Sequence, residues 1–111
     1  MAYDTALADE VRAAIGAEPG LSEKAMFGGL AFLVHGNMAV AASGKGGLLV
    51  RVDPAQMPAL TREVGVEPMV MRGRAMAGWL HVSADAIRGE DGVARWVARG
   101  LGFARDLPPK R

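Results

Sequence analysis

"KAMFGGLAFLVHGNMAVAASGKGGLLVRV", residues 24–52, decides the fold. Runs of apolar and β-branched residues are separated by "HGN" and "SGKGG", the small turn-forming clusters that reverse antiparallel strands. The reading is a meander, with strands from about Lys24 to Val34, Met38 to Ala42 and Leu48 to Val52. Inside the first of them Gly28 and Gly29 stand side by side. Glycine within a strand loses backbone entropy on folding and has no side chain to pack. The pair is therefore expected to mark a bulge or a close backbone approach. The same stretch holds twenty uncharged residues in a row, Ala25 to Gly44, long enough to span a bilayer. His35-Gly36-Asn37 interrupts it and four glycines lie within it, which is a hairpin pattern and not a membrane helix.

Outward from the meander, Asp4 is placed to cap a first helix with the apolar stripe Leu7, Val11, Ala14 and Ile15, ended by Pro19-Gly20. On the other side, Asp53-Pro54 reads as a helix start, with Gln56 completing a capping box. That helix carries Met57, Leu60 and Val64 and stops at Gly65. "EPMVM" and "RAMAGWLHVS" read as two further strands around Gly73. A short helical turn near Ala84–Ile87 follows, then a last helix from about Asp91 to Arg105. Its inner stripe is Val93, Trp96, Val97, Leu101 and Ala104, and Glu90-Asp91 suit the dipole at its start. "LPPKR" closes the chain as an extended, polyproline-like tail. The fold class is α+β: an antiparallel meander sheet of about five strands, with N-terminal, central and C-terminal helices packed on it, in a single domain over residues 1–111.

Period two sorts the strand faces. Met38, Val40 and Ala42 oppose Ala39 and Ala41. Leu48, Val50 and Val52 oppose Leu49 and Arg51. Met76, Leu80 and Val82 oppose Ala75, Ala77, Trp79 and His81. One face is a core. The second is too apolar to be solvated, so a helix or another subunit is expected to cover part of it.

The chain lacks cysteine, which excludes disulfides, thiol catalysis and thiolate metal sites and fits a reducing cytoplasm. "MAYDTALADEVR" has no basic region followed by an apolar run, so it does not read as a signal peptide. Net charge is +1, split as five basic and eight acidic groups over residues 1–70 and eight and four over residues 71–111. Glycine clusters raise the question of phosphate binding, and neither answers it. "SGKGG" lacks the P-loop spacing and leads into a strand, and "FGGLAF" opens no helix. His35 occupies a turn and His81 lies near a strand end, with no metal-ligand spacing. Ser22, Ser43 and Ser83 lack a nucleophile-elbow context. No catalytic set, cofactor site or metal site assembles, so the chain is expected not to be an enzyme.

Taken together, "KAMFGGLAFLVHGNMAVA", "GLLVRV", "EPMVMRGRAMAGWLHV" and "FARDLPPK" resemble the N-terminal domain of TfoX/Sxy-type proteins. The resemblance runs from about Asp4 to Lys110. Its most specific parts are Met26-Phe27-Gly28-Gly29, Arg51, Met76 with Gly78-Trp79, and Leu107-Pro108-Pro109-Lys110. It implies a stand-alone N-terminal domain of that family, since the competence regulators also carry a C-terminal helical domain. It further implies transcriptional coactivation beside a factor of the cyclic-AMP receptor protein type, with Met26, Phe27, Gly28, Gly29, Met76, Gly78, Pro108, Pro109 and Lys110 in structural roles.

The leading reading is a non-enzymatic interaction module, self-associating as a homodimer through the second sheet face. Arg51, Arg72, Arg74, Trp79 and His81 are the candidate partner- or ligand-binding residues. A second reading is a small-molecule binder or minor enzyme using Arg51, Trp79 and His81. The third is a weak nucleic-acid binder, if Arg72, Arg74, Arg95 and Arg99 converge; Arg62 with Glu63 and Arg105 with Asp106 are neutralised in sequence.

Overall fold

In the computed structural model, which describes residues 3–26, 28–88 and 91–108, the sheet is built on two-residue turns. Met26 pairs with Gly29, so the chain reverses between them and the single strand expected over 24–34 is two strands. They are β1 (Leu21–Met26) and β2 (Gly29–Val34), followed by β3 (Asn37–Ala42) and β4 (Leu48–Arg51). The other two are β5 (Val66–Met71) and β6 (Arg74–Val82). Gly28 has φ of 74°, a left-handed value that glycine adopts without strain. His35-Gly36, at 49° and 83°, and Arg72-Gly73, at 53° and 77°, reverse the chain in the same way. A pair of positive φ values is the turn geometry that matches the twist of antiparallel strands. The β1–β2 turn escapes the sequence reading, which takes Gly28 and Gly29 as one feature inside a single strand; Phe27 lies outside the described residues.

The close-approach half of the expectation holds at Gly29. A Cβ there would overlap the Ala42 carbonyl oxygen and sit 3.2 Å from the Gly44 nitrogen. The start of β2 therefore lies backbone to backbone against the end of β3.

All neighbouring strands are antiparallel, in the order β1-β2-β3-β4-β6-β5. The sheet has six strands where about five were expected. Its bulges lie elsewhere than at the glycine pair. Phe32 pairs with Val40 and Leu33 with Met38, which leaves Ala39 as an extra residue in β3. Alternation resets there: Ala39, Val40 and Ala42 join the main core, and Met38 turns to the second face with Ala41. A larger register jump between Pro68 and Val70, with Gly78 at φ 83°, likewise sends Met76 to the second face and away from Leu80 and Val82.

Two helices cover the core face. In α1 (Thr5–Ile15) Asp4 caps the Ala6 and Leu7 amides, and Leu7, Ala8, Val11 and Ile15 are buried. Ala8 takes the place expected for Ala14, which faces out. In α3 (Gly92–Arg105) the whole expected stripe is buried, and Gly100 as well. A Cβ at Gly100 would overlap the Ala39 carbonyl oxygen, so α3 crosses the bulge of β3 at backbone distance. The helix expected over 53–64 is reduced to a 3-10 turn, Pro54–Gln56, and the single-turn α2, Met57–Leu60. Asp53 caps it through Ala55 N–H at 2.9 Å, and the Thr61 hydroxyl donates back to the Met57 carbonyl at 2.8 Å. Hydroxyls bonded in this way weaken and bend short helices. Val64, 94% exposed, is no part of a stripe.

Polar clasps hold the periphery. Buried Asn37 donates from Nδ2 to the Pro108 carbonyl at 2.8 Å, which fixes the start of the tail beside the β2–β3 turn. The remainder of the expected polyproline-like tail, with Pro109 and Lys110, lies outside the described residues, as does Glu90. Arg12 forks onto Glu23 at 2.7 and 2.8 Å, tying α1 to β1. Arg105 binds Glu18 in the same manner, 3.0 Å from Nε to Oε2. Those charge-assisted hydrogen bonds hold both carboxyls below their ordinary value of 4.5. A carboxyl depressed by folding stabilises the native state above its unfolded pKa, and that contribution disappears as pH falls through the folded one. Stability is thus expected to decline as acid is added below about pH 4.5. Urea midpoints from pH 7 to 3 check this, and Glu18→Gln with Glu23→Gln should flatten the profile. An unchanged profile would remove these pairs from the acid response.

Candidate interaction surface

The register lays out the second face residue by residue. Lys24, Ala31, Ala41, Leu49, His81 and Glu67 are successive partners across all six strands. The row begins and ends on exposed charges and has two alanines near its middle, over which the sheet is hollow. Methionines fill the hollow. Met38 and Met69 are buried with Ala31, Ala41 and Leu49, and Met26, Met71, Met76, Leu33 and Trp79 pack against them. Unbranched thioether side chains suit so irregular a space.

Met69, Met71 and Met76 come from the outer half of the β5–β6 hairpin, at the edge of the sheet. To join alanines on β2 and β3, that hairpin must lean over the second face, and the bulge at Gly78 supplies the bend. The expected cover of helix or subunit is therefore provided in part by the chain's own hairpin.

Leaning leaves a groove of about 410 Å³ between hairpin and sheet. Its floor is Leu49, Met69 and Met71, and its rim includes Lys45, Arg72, His81 and Glu67. A backbone carbonyl can only accept, so His81 donates from Nε2 to Gly46 at 2.9 Å, which braces the β3–β4 turn at the groove mouth. Ser43 also lines the groove, and its Oγ accepts the Lys45 amide at 3.1 Å.

The five candidate residues divide into groups. Arg51 is paired with Trp79 across β4 and β6, its guanidinium 5.2 Å from that ring and 5.7 Å from Phe103 of α3. Held between two aromatics, Arg51 links the second face to α3 as a stacked cation. Arg72 and His81 meet at the groove, away from that stack. Arg74 is exposed beside the β5–β6 turn and has no ion pair among the described residues. Arg95 and Arg99 do not complete a basic patch with the hairpin arginines. Both pair with Glu63, at 3.5 and 3.4 Å, and lie over the Trp96 ring. The neighbour pairs read from sequence are likewise replaced: Glu63 goes to α3, and Arg105 to Glu18.

Sequence reasoning missed Lys45, Glu67, Met69 and Met71 as groove residues, and Phe103 as a partner of Arg51. Only the tight turn at Arg72-Gly73 signalled the hairpin, and nothing local signalled its lean. Among the described residues no three His, Asp or Glu side chains gather as a metal site, and no helix is long and apolar enough to cross a membrane.

The family model of the TfoX N-terminal domain matches residues 13–104. The chain belongs to this family. No curated protein matches it. The TfoX signature residues can now be placed. Gly28 makes the β1–β2 turn, Gly29 the backbone contact with Ala42, and Gly78 the bulge whose carbonyl accepts the Val52 amide at 2.8 Å. Met26 and Met76 pack on the second face, and Pro108 takes the hydrogen bond from Asn37.

Proposed function

We propose that this TfoX N-terminal domain is a non-enzymatic interaction module that regulates transcription through a protein partner in the cytoplasm. The resemblance noted above makes a factor of the cyclic-AMP receptor protein type the partner to test. The observation that supports the reading is the second sheet face. It is apolar and rich in methionine, no helix among the described residues lies on it, and its groove is bordered by Lys45 and Arg72, which have no ion pair among the described residues. Adaptable thioethers beside aromatic and arginine side chains are the usual chemistry of protein recognition. Direct duplex binding receives less support, because Arg95 and Arg99 are committed to Glu63.

A gel shift with a salt series tests this. A protein that neutralises several phosphates loses affinity steeply with salt. The chain alone should give only weak, sequence-independent shifts that vanish near physiological salt. Together with the receptor-type factor on its promoter it should give a slower, salt-resistant complex. Sequence-selective binding by the chain alone at physiological salt would replace the module reading with a nucleic-acid one.

A further inference from the structure

The groove follows five consecutive residues of β5, Glu67 to Met71, and Arg72 of the turn beyond them, and β5 is an edge of the sheet. An occupant that follows an edge strand for that length, about 20 Å, is itself extended. The register shows which backbone groups it would meet. Met71 and Arg74 close a two-residue turn and form the hydrogen-bonded pair, so Val70 opposite Ala75 is the pair without ladder bonds. The N–H and C=O of Val70 therefore point outward from the sheet. At the other end of β5, the Ser83 amide bonds the Gly65 carbonyl at 2.8 Å, which sets the alternation so that Pro68 also turns its carbonyl outward. Val70 keeps 60% of its surface exposed, so its outward backbone groups are not screened by neighbouring side chains.

Charge selects among extended occupants. Lys45 and Arg72 stand at the rim with no ion pair among the described residues, against the single carboxylate of Glu67. A second copy brought up by a two-fold axis would offer these two cations only the one carboxylate of Glu67. An acidic segment is complementary to it.

We propose that the groove takes an extended, acidic and apolar segment of a protein partner, added as a strand beside β5. Its backbone bonds to Val70 N–H, Val70 C=O and Pro68 C=O. Its apolar side chains lie on Met69, Met71 and Leu49, and its carboxylates face Lys45 and Arg72. Pro68 offers no amide, which limits the added strand to a short stretch and protects the edge from unrestricted pairing. This assignment rests on the interaction-module reading and names the kind of segment that module binds.

The test uses a fluorescein-labelled seven-residue peptide alternating glutamate with valine and leucine, followed by anisotropy at low ionic strength. Two companion peptides replace glutamate by lysine or carry an N-methyl group on the central amide. The acidic peptide should bind saturably and the lysine peptide should not. N-methylation should weaken binding about tenfold or more, since main-chain hydrogen bonds carry the affinity of strand addition. Lys45→Glu with Arg72→Asn should weaken it by about the same factor, asparagine being tolerated at the positive φ of that turn. Absence of binding at millimolar peptide, equal binding of the lysine peptide, or indifference to N-methylation would each overturn the proposal. So would a dimer in sedimentation that the double variant dissolves, because the groove would then belong to a second copy. The two readings fail separately. A promoter complex that forms normally with the double variant removes the groove and leaves the module. Peptide binding without any promoter complex removes the receptor-type partner and leaves the groove.

Discussion

Gly29→Val is expected to lower the melting temperature by roughly 10–20 °C, the equivalent of about 3 kcal/mol or more in a domain of this size. The effect does not come from strand propensity, which favours valine. It comes from the Ala42 carbonyl, which occupies the space a Cβ would need, with the Gly44 nitrogen 3.2 Å away. Both obstacles are backbone, so no rotamer change relieves them, and β2 must separate from β3 or carry β3 with it. The adjacent glycine serves as the control. Around Gly28 a Cβ would meet nothing within 4 Å, and its constraint is the φ of 74°. Gly28→Asn should be nearly neutral, since asparagine tolerates that conformation, while Gly28→Val should cost about 1–2 kcal/mol. Thermal melts of the three variants check the ordering. A Gly29→Val protein melting with the wild type would show that the two strands do not meet at backbone distance.

Those two glycines also mark the boundary of what the sequence discloses. Local signals survived wherever they were unambiguous. Asp4 caps α1, the stripe from Val93 to Ala104 is buried as its spacing implied, and the turn at Ala84–Ile87 is in place. Gly28-Gly29 could be identified as special but not resolved, because a turn and a close approach call for the same residue and here occur one after the other. Bulges were the second obstacle. Period-two alternation assumes an uninterrupted ladder, and the extra residue at Ala39 and the jump near Gly78 each reset it, sending Met38 and Met76 to the opposite face. Arg51 and Trp79 were placed correctly on the same face, and the register makes them direct partners, because neither bulge separates them. The groove was invisible for a different reason. Lys45 and Arg72 are far apart in the chain and lie in two different turns, and they come together at one groove only because a hairpin leans. That lean is a property of packing, namely methionines filling the hollow over two alanines, and no local window contains it.

Trp96 carries the other large effect. It is fully buried in the main core and is the largest side chain there. Trp96→Ala should destabilise by about 3–5 kcal/mol, the usual cost of removing a buried indole and leaving a cavity. That is a large part of the roughly 5–15 kcal/mol that holds a domain together. Trp96→Phe separates two contributions hidden within that figure. The indole Nε1 is buried with no acceptor among the described residues, a defect that costs about 1–3 kcal/mol and that phenylalanine removes. Against this gain stand the smaller ring and a weaker stack for Arg99, 4.3 Å from the ring, and Arg95, 5.8 Å from it. The terms oppose one another, so Trp96→Phe should lie within about 1.5 kcal/mol of wild type while Trp96→Ala falls far below. Urea titrations of both variants decide this, and a phenylalanine variant as unstable as the alanine one would mean that the indole N–H is satisfied after all. The phenylalanine variant has a further use. The chain contains two tryptophans, so it retains only Trp79, which lies on the second face beside Arg51. Its emission then reports on the proposed interaction face alone. A strand seated along β5 that moves the leaning hairpin should shift that emission, because Met69, Met71 and Met76 share one packed cluster with Trp79.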